Sequence, residues 1–417
     1  MNDNELQVLG TPANKRKEDL PIILAIALMM LMIGAVWYWM LSSQQAEESE
    51  KIGEPTIIPE LQHAVDSLLN AELTEIDGLQ GQAIVMEVQT GEILAMAGRE
   101  RNFEGNFQPC RNFAYQQELG SLMKTVSLLA ALETGKVEID DVVDTGNGIW
   151  KVPNGWYMKD HNWPRGGYGK MTLDRAIEVT SNIGISKTIW KVYKDNQQDF
   201  FDKLDSMSYG KPDRIDGIEG LRPSSYDSPK DTSWIDEYIL WSSIGYHRRI
   251  APIQMLTFYN AIANGGKMVK PTLKTGETEV INPQIASKRN IYIMQRTLNN
   301  VVKQGLGKKA GSPIIQVAGK TGTSQACRHY YDNDEIELDE YQMSFCGYFP
   351  ADKPKFSMIV SMNKLGLPAS GGGMAGVVFH HIVHWMIFQG VLPISVIDEE
   401  TKDTVRVTEQ NYSKYFE

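Results

Sequence analysis

The strand-forming runs of this chain sit at the two ends of its globular part, and the long stretch between them carries mostly helical patterns. Ala83-Ile84-Val85-Met86-Glu87-Val88 and Ile93-Leu94-Ala95-Met96-Ala97 flank Gln89-Thr90-Gly91-Glu92. Gly91 can take the positive φ of a tight turn, so this pair predicts a β-hairpin. Roughly 200 residues later come three more runs: Ile314 into Lys320-Thr321-Gly322-Thr323, Met343 to Phe349, and Phe356 to Met362, the last two joined by Pro350-Ala351-Asp352-Lys353. A sheet drawing strands from both ends of a domain must assemble around what lies between. The expectation is an α+β fold: an antiparallel five-stranded sheet flanked by helices, with an inserted all-helical subdomain. Thr172 to Tyr193, Met255 to Ala263 and Ile291 to Val302 supply that subdomain. Pro59 to Leu73, with Leu61, Ala64, Val65, Leu68 and Leu69 at helical spacing, can close on the sheet, and Met374 to Phe388 gives a final covering helix.

Leu20 to Leu41 contains no charged side chain and is long enough for a bilayer span. It outruns the apolar region of a secretory signal and ends in Trp37-Tyr38-Trp39, an interfacial aromatic belt, so it reads as an uncleaved anchor. Lys15-Arg16-Lys17 in front of it predicts an inside N-terminus, with the remaining mass outside the cytoplasm. The expected organisation is a cytoplasmic tail over 1–19, a transmembrane helix over 20–42, a polar stalk over 43–58, a globular domain over 59–392 and a tail over 393–417. A net charge of −11 with no further basic cluster argues against nucleic acid as a partner. Cys327 and Cys346 could face each other across a strand pair, either bridged or as small buried thiols; Cys110 is the third cysteine.

Gly120-Ser121-Leu122-Met123-Lys124 opens a run, Val126 to Leu132, that is apolar nearly all round and marks a buried helix. Ser121 and Lys124, three apart on its first turn, share a face, so the amine can reach the hydroxyl. The unsatisfied N–H groups of a helix start make the Ser121 amide half of an oxyanion hole. A lysine acts as a base only when neutral, which calls for burial or a second cation; Lys320 can be that cation. S-x-x-K alone is a short pattern that recurs by chance. In Lys320-Thr321-Gly322-Thr323, Gly322 lets a substrate backbone lie along the strand while Thr321 and Thr323 hydrogen-bond a carboxylate; the plain alternative is an edge strand with a glycine bulge. Thr180-Ser181-Asn182 places small polar groups at a helix boundary. It reads either as an N-cap or as a proton relay through Thr180, with the Asn182 amide holding Lys124 and a substrate amide.

At these three motifs the chain resembles the transpeptidase domain of penicillin-binding proteins, the bacterial enzymes that cross-link peptidoglycan and are acylated by β-lactams. The likeness extends to Thr90-Gly91-Glu92-Ile93-Leu94-Ala95-Met96, Gly167-Tyr168-Gly169-Lys170-Met171-Thr172-Leu173, Ser243-Ile244-Gly245-Tyr246, Pro252-Ile253-Gln254-Met255 and Ala261-Ile262-Ala263-Asn264-Gly265-Gly266, and covers about Pro59 to Gln389. The resemblance implies a β-lactamase/transpeptidase-like fold. It implies Ser121 as acylated nucleophile, Lys124 as general base, Thr180 and Asn182 as the second motif, and Lys320, Thr321 and Thr323 as the third. The backbone N–H groups of Ser121 and Thr323 then form the oxyanion hole. The implied reaction is two-step acyl transfer on peptidoglycan stem peptides, blocked covalently by β-lactams, with no metal or organic cofactor. The implied setting is the outer face of the bacterial cytoplasmic membrane, on a single-pass anchor, with a lipid-linked glycan polymerase as candidate partner.

The sequence departs from the family pattern in three places. Thr180 stands where serine is usual, and Leu119 where proline is common. The short segment between stalk and hairpin leaves no room for the usual pedestal or for a glycosyltransferase domain. A D,D-carboxypeptidase or β-lactamase of the same superfamily, and a low-activity scaffold or β-lactam sensor, are the rival functions. Cys327 to Tyr341 reads as a solvated acidic hairpin rather than a calcium loop, and His380, His381 and His384 lack the glutamate of a metalloprotease helix.

Overall fold

The computed structural model describes residues 29–38, 40, 53–153, 155–226, 235–332 and 336–416, the side chains of 225–226, 235–237, 326–332 and 336–338 excepted. The chain divides into two units, Met1–Glu54 and Pro55–Glu417. In the first, the described residues 29–38 and 40 are helical and exposed. Among the described residues no helix is long and apolar enough to cross a membrane, and the rest of the span expected over 20–42 lies outside them.

The second unit is organised by one antiparallel sheet. Its strands are β1 (Gly78–Glu87), β2 (Ile93–Arg101), β3 (Phe107–Pro109), β4 (Ala318–Asp332), β5 (Ile336–Phe349) and β6 (Phe356–Leu365). Their order is β4-β5-β6-β1-β2-β3, so the last strand pairs with the first and closes the sheet over the whole insertion. The sheet has six strands, not five. The sixth is the three-residue edge strand β3, whose sequence Phe107-Gln108-Pro109 has neither the length nor the alternation to announce itself.

β1 lies inside the sheet, and both of its faces are covered. Ala83 and Val85 join one hydrophobic cluster while Ile84 and Met86 join the other, which explains an apolar run without alternation. On the first face lie α1 (Pro59–Glu75) and the helix Gly376–Phe388 near the end of the unit. α1 begins with proline in its first turn and buries Leu61, Val65, Leu69 and Leu73, a stripe repeating every fourth residue. The second face carries α2 (Met123–Leu132), every residue of which is buried.

The insertion continues with α3 (Leu173–Glu178), α4 (Asn182–Tyr193), α5 (Gln198–Ser206), α6 (Ile235–Ser242), α7 (Pro252–Ala263) and α8 (Lys288–Lys303); the sheet-covering helix Gly376–Phe388 is α9. It is not all helical. Among the described residues four two-stranded ribbons interrupt the insertion, including Val142–Asp144 with Lys170–Thr172 and Ile149–Lys151 with Tyr157–Lys159. Glycines at 146, 148, 155, 166, 167 and 169, all at positive φ, break any helical continuation there and supply the turns. The helical stretch expected over Thr172 to Tyr193 is two helices that meet at the helix boundary read from Thr180-Ser181-Asn182, with Ser181 as the N-cap of the second.

β4 and β5 run on beyond the sheet as a two-stranded arm, with His329 opposite Asp339 and Asp332 opposite Ile336. This is the backbone of the expected acidic hairpin. Cys346 is a buried free thiol opposite Lys320, seven residues up the strand from Cys327, so the register does not bring that pair together.

The first-face core is closed by aromatic packing between α9 and β5: the Phe379 ring lies 4.7 Å from that of Phe345 and 5.6 Å from that of Phe349, all three fully buried. Phe379→Ala is expected to cost about 3–5 kcal/mol in equilibrium urea unfolding, with an unchanged denaturant slope. A loss below about 1 kcal/mol would mean this contact is not part of the core.

Candidate active site

Ser121 sits in a 3₁₀ turn, Gly120–Leu122, that feeds directly into α2, and Lys124 is on the first turn of that helix. Backbone has to approach backbone closely to hold this turn against the sheet. Gly120 has φ +52°, and a Cβ there would meet Thr323 O at 2.8 Å. A Cβ on Gly322 would meet Leu119 O at 2.7 Å and Leu122 Cγ at 3.1 Å. Gly322 therefore faces the nucleophile turn, and its missing side chain makes room for that turn rather than for substrate. The junction is pinned by Ser324 Oγ, which donates to Glu118 O at 2.7 Å, while Glu118 Oε1 accepts from His247 N at 2.9 Å.

Below the turn, the polar groups of α2 are satisfied one by one. Tyr259 OH lies 2.9 Å from Leu122 O and 2.8 Å from Thr125 Oγ1, and Ser127 Oγ donates to Ser243 O at 2.8 Å. Lys124, fully buried, places Nζ 2.8 Å from Ser121 Oγ and donates to Thr180 O at 2.7 Å.

Thr180 occupies the break between α3 and α4 with φ +56°. A β-branched residue there carries strain of order 1–3 kcal/mol, which the surroundings must hold. Ser181 caps α4, accepting from Gly184 N at 2.8 Å. The same hydroxyl donates to Asp160 Oδ2 at 2.8 Å, and Asp160 Oδ1 accepts from Ile183 N at 3.0 Å. A buried carboxylate thus clamps the helix start and fixes Thr180.

Lys320, also fully buried, reaches across from β4 and donates to Thr180 Oγ1 at 2.6 Å and to Thr321 O at 2.9 Å. One threonine hydroxyl therefore joins the two lysines, since Lys124 Nζ lies 3.5 Å from it. Burial brings Lys124 down to about 7, opposed in part by the Asp160 charge. Lys320 falls well below the ordinary amine range, first by burial and then by the charge of Lys124. Of the two causes expected for a depressed Lys124, burial or a second cation, burial is the one that acts.

Asn182 is half-buried and donates from Nδ2 to Lys159 O at 2.9 Å. It does not hold Lys124, whose partners are Ser121 and Thr180; the broken helix puts the Thr180 carbonyl where the amide was expected. Thr321 is buried with Oγ1 3.3 Å from Lys320 Nζ, whereas Thr323 is exposed and accepts at Oγ1 from Gly371 N at 3.0 Å. β4 is the edge of the sheet, and among the described residues no further strand pairs with its outer side, where an extended ligand can add. Asp160, Glu118 and Gly371 escaped the sequence patterns, because each acts through a long-range contact that no local spacing encodes. His380 Nδ1 lies 2.6 Å from Gly311 O and His384 Nε2 2.9 Å from Ser312 Oγ; among the described residues no cluster suited to a metal ion occurs.

A serine beside two buried lysines, on an α+β scaffold with a free edge strand, defines the class of site. The family model for the penicillin binding protein transpeptidase domain matches residues 81–384. The chain is 26% identical over 377 residues to penicillin-binding protein PbpB of Mycolicibacterium smegmatis, covering 82% of this chain and 55% of that protein. It is 25% identical over 294 residues to peptidoglycan D,D-transpeptidase FtsI of Escherichia coli K12, covering 68% and 47%. The apo transpeptidase (TP) domain of penicillin-binding protein 3 from Burkholderia pseudomallei superposes with a TM-score of 0.67 at 25% identity, over 81% of this chain and 96% of that one. The chain belongs to the penicillin-binding protein transpeptidase domain family. It spans about half the length of the curated relatives it matches.

Because only neutral Lys124 can accept a proton from Ser121, the acylation rate constant should fall as pH drops through about 7 and level off above about 8. Stopped-flow acylation by a chromogenic β-lactam between pH 5 and 9 measures this. A rate independent of pH down to 5 would exclude Lys124 as the base.

Proposed function

We propose that the chain is a serine-type peptidoglycan D,D-transpeptidase, held by a single-pass anchor on the outer face of a bacterial cytoplasmic membrane. The observation that carries this reading is Ser121 Oγ at 2.8 Å from a buried amine held at about 7, so the base is available at neutral pH. Support for the substrate comes from the relatives named peptidoglycan D,D-transpeptidase, and for β-lactam binding from a protein of similar fold, penicillin-binding protein 3 of Mycobacterium tuberculosis, described as complexed with aztreonam. The apolar run Leu20 to Leu41 supports the anchor.

In the proposed reaction Lys124 takes the Ser121 proton while Oγ attacks the carbonyl carbon between two terminal D-alanines of a stem peptide. The oxyanion is held by the N–H groups of Ser121 and Thr323. Thr180 Oγ1, within 3.5 Å of Lys124 Nζ, hands a proton to the departing D-alanine nitrogen and is re-protonated from Lys124. The C–N bond breaks, leaving an ester on Ser121. A stem-peptide amine from a neighbouring strand then attacks the ester, its proton returns through Lys124 to Ser121, and a new amide cross-link results. Lys320 keeps the Thr180 hydroxyl oriented, while the exposed Thr323 side chain is placed to meet a substrate carboxylate along the edge strand.

Fluorescent penicillin should label the wild-type chain covalently and fail to label Ser121→Ala. Thr180→Ser, which keeps the hydroxyl and sheds the β-branch at positive φ, should retain acylation within about threefold, whereas Thr180→Val should lose about 100-fold or more. Label persisting in Ser121→Ala excludes the nucleophile. Labelling accompanied by D-alanine release but no cross-linked dimer from polymerised glycan favours a carboxypeptidase.

A further inference from the structure

Three exposed aromatic rings and three lysine or arginine side chains crowd one small projection beside the site, and nothing in the proposed reaction uses them. The ribbon Ile149–Lys151 with Tyr157–Lys159 pairs Trp150 with Met158. Met158 is fully buried and Trp150 packs on the same core, so this pair fixes the inner face of the ribbon. Strand alternation then turns Tyr157, Lys151 and Lys159 outward. Trp156 at the turn is 66% exposed, Tyr157 57% and Trp163 42%, and the Lys159 ammonium lies 4.7 Å from the centre of the Trp163 ring. Lys151, Lys159 and Arg165 are all exposed, and none forms an ion pair among the described residues. On a chain of net charge −11 this is a local basic surface.

The projection is joined to the second motif by hydrogen bonds. Lys159 O accepts from Asn182 Nδ2, and the next residue, Asp160, holds Ser181 and Ile183 N. The following residue, His161, is kept below the usual imidazole range by burial and then by the charge of Lys124, so this segment lies within electrostatic reach of the catalytic amines. The ribbon that carries these rings is thus anchored on the residues next to Thr180, which itself touches both lysines.

We propose that this ribbon is a platform for the glycan part of the substrate, an acidic glycopeptide whose sugar rings stack on Trp156, Tyr157 and Trp163 while free carboxylates of the attached peptide meet Lys151, Lys159 and Arg165. The proposal rests on the transpeptidase reading and adds to it the part of the substrate that the acyl-transfer site does not touch. Flat C–H faces of pyranose rings suit exposed aromatic faces, and the clustered cations suit the peptide carboxylates that a neutral sugar polymer lacks. An anionic bilayer would also accept tryptophan and lysine side chains, but the hydrogen-bonded continuity with the second motif favours the glycopeptide.

The test is calorimetric titration of the purified full-length chain with two soluble probes: neutral oligomers of N-acetylglucosamine, which carry no carboxylate, and glycan strands with stem peptides attached. The wild-type chain should bind both. Trp156→Ala with Tyr157→Ala should weaken both by about tenfold or more, and Lys151→Glu should weaken only the peptide-bearing strands, by about threefold or more. Penicillin labelling of the variants, which needs no glycan, shows in the same samples that the fold and the site are intact. Unchanged binding of both probes by well-labelled variants overturns the platform. So does loss of binding to phosphatidylglycerol vesicles in the double variant while glycan binding stays as in wild type. Failure of the wild-type chain to be labelled at Ser121 would instead overturn the transpeptidase reading, and the glycan titrations would still decide the platform by themselves.

Discussion

Two lysine side chains with no solvent exposure converge on a single threonine hydroxyl, and much of the site is arranged around that fact. Placing two amines side by side in a dry interior makes the doubly charged state expensive by several kcal/mol, so the pair sheds a proton near neutral pH. An amine that is neutral at pH 7 is a usable base, whereas a solvated lysine is not. The same burial requires every remaining N–H to find an acceptor, and the Thr180 carbonyl, the Ser121 hydroxyl and the Thr321 carbonyl serve that purpose.

The price of this arrangement is held in the backbone. Thr180 adopts a conformation that β-branched residues avoid, and it is kept there by the α4 cap at Ser181 and the buried Asp160 clamp. Ser121 can stand beside the sheet edge because Gly120 and Gly322 allow the nucleophile turn and β4 to meet without intervening Cβ atoms. Gly245, at φ +101°, packs directly against Gly120 from the third side. Sheet closure by β1 and β6 ties these elements to one another across the insertion, so the site depends on the ends of the domain as much as on its middle.

Local chemistry made part of this legible in the sequence. Ser121 and Lys124 share a helix turn, Lys320 lies in a recognisable strand, and the hairpin is signalled by two apolar runs flanking Gly91, which takes φ +81° in the turn. Features set by long-range contact were not legible. Asn182 looked like the partner of Lys124, but the Thr180 carbonyl takes that place, and the left-handed backbone that comes with it at Thr180 has no signature in a β-branched residue. Gly322 looked like a gap for substrate because the neighbouring turn, which fills that gap, comes from a segment far away in sequence. Edge strand β3 was too short to detect, and the ribbons inside the insertion were hidden by aromatic residues that serve strands and helices alike.

Direct titration of the Lys124 side chain tests the central claim most plainly. With lysine labelled at Cε, the resonance missing from Lys124→Arg can be followed by NMR from pH 5 to 11. A midpoint near 7 is the predicted result, and a midpoint near the ordinary lysine value of 10.5 would contradict the account, because the buried amine would then be charged at neutral pH and unable to take the Ser121 proton.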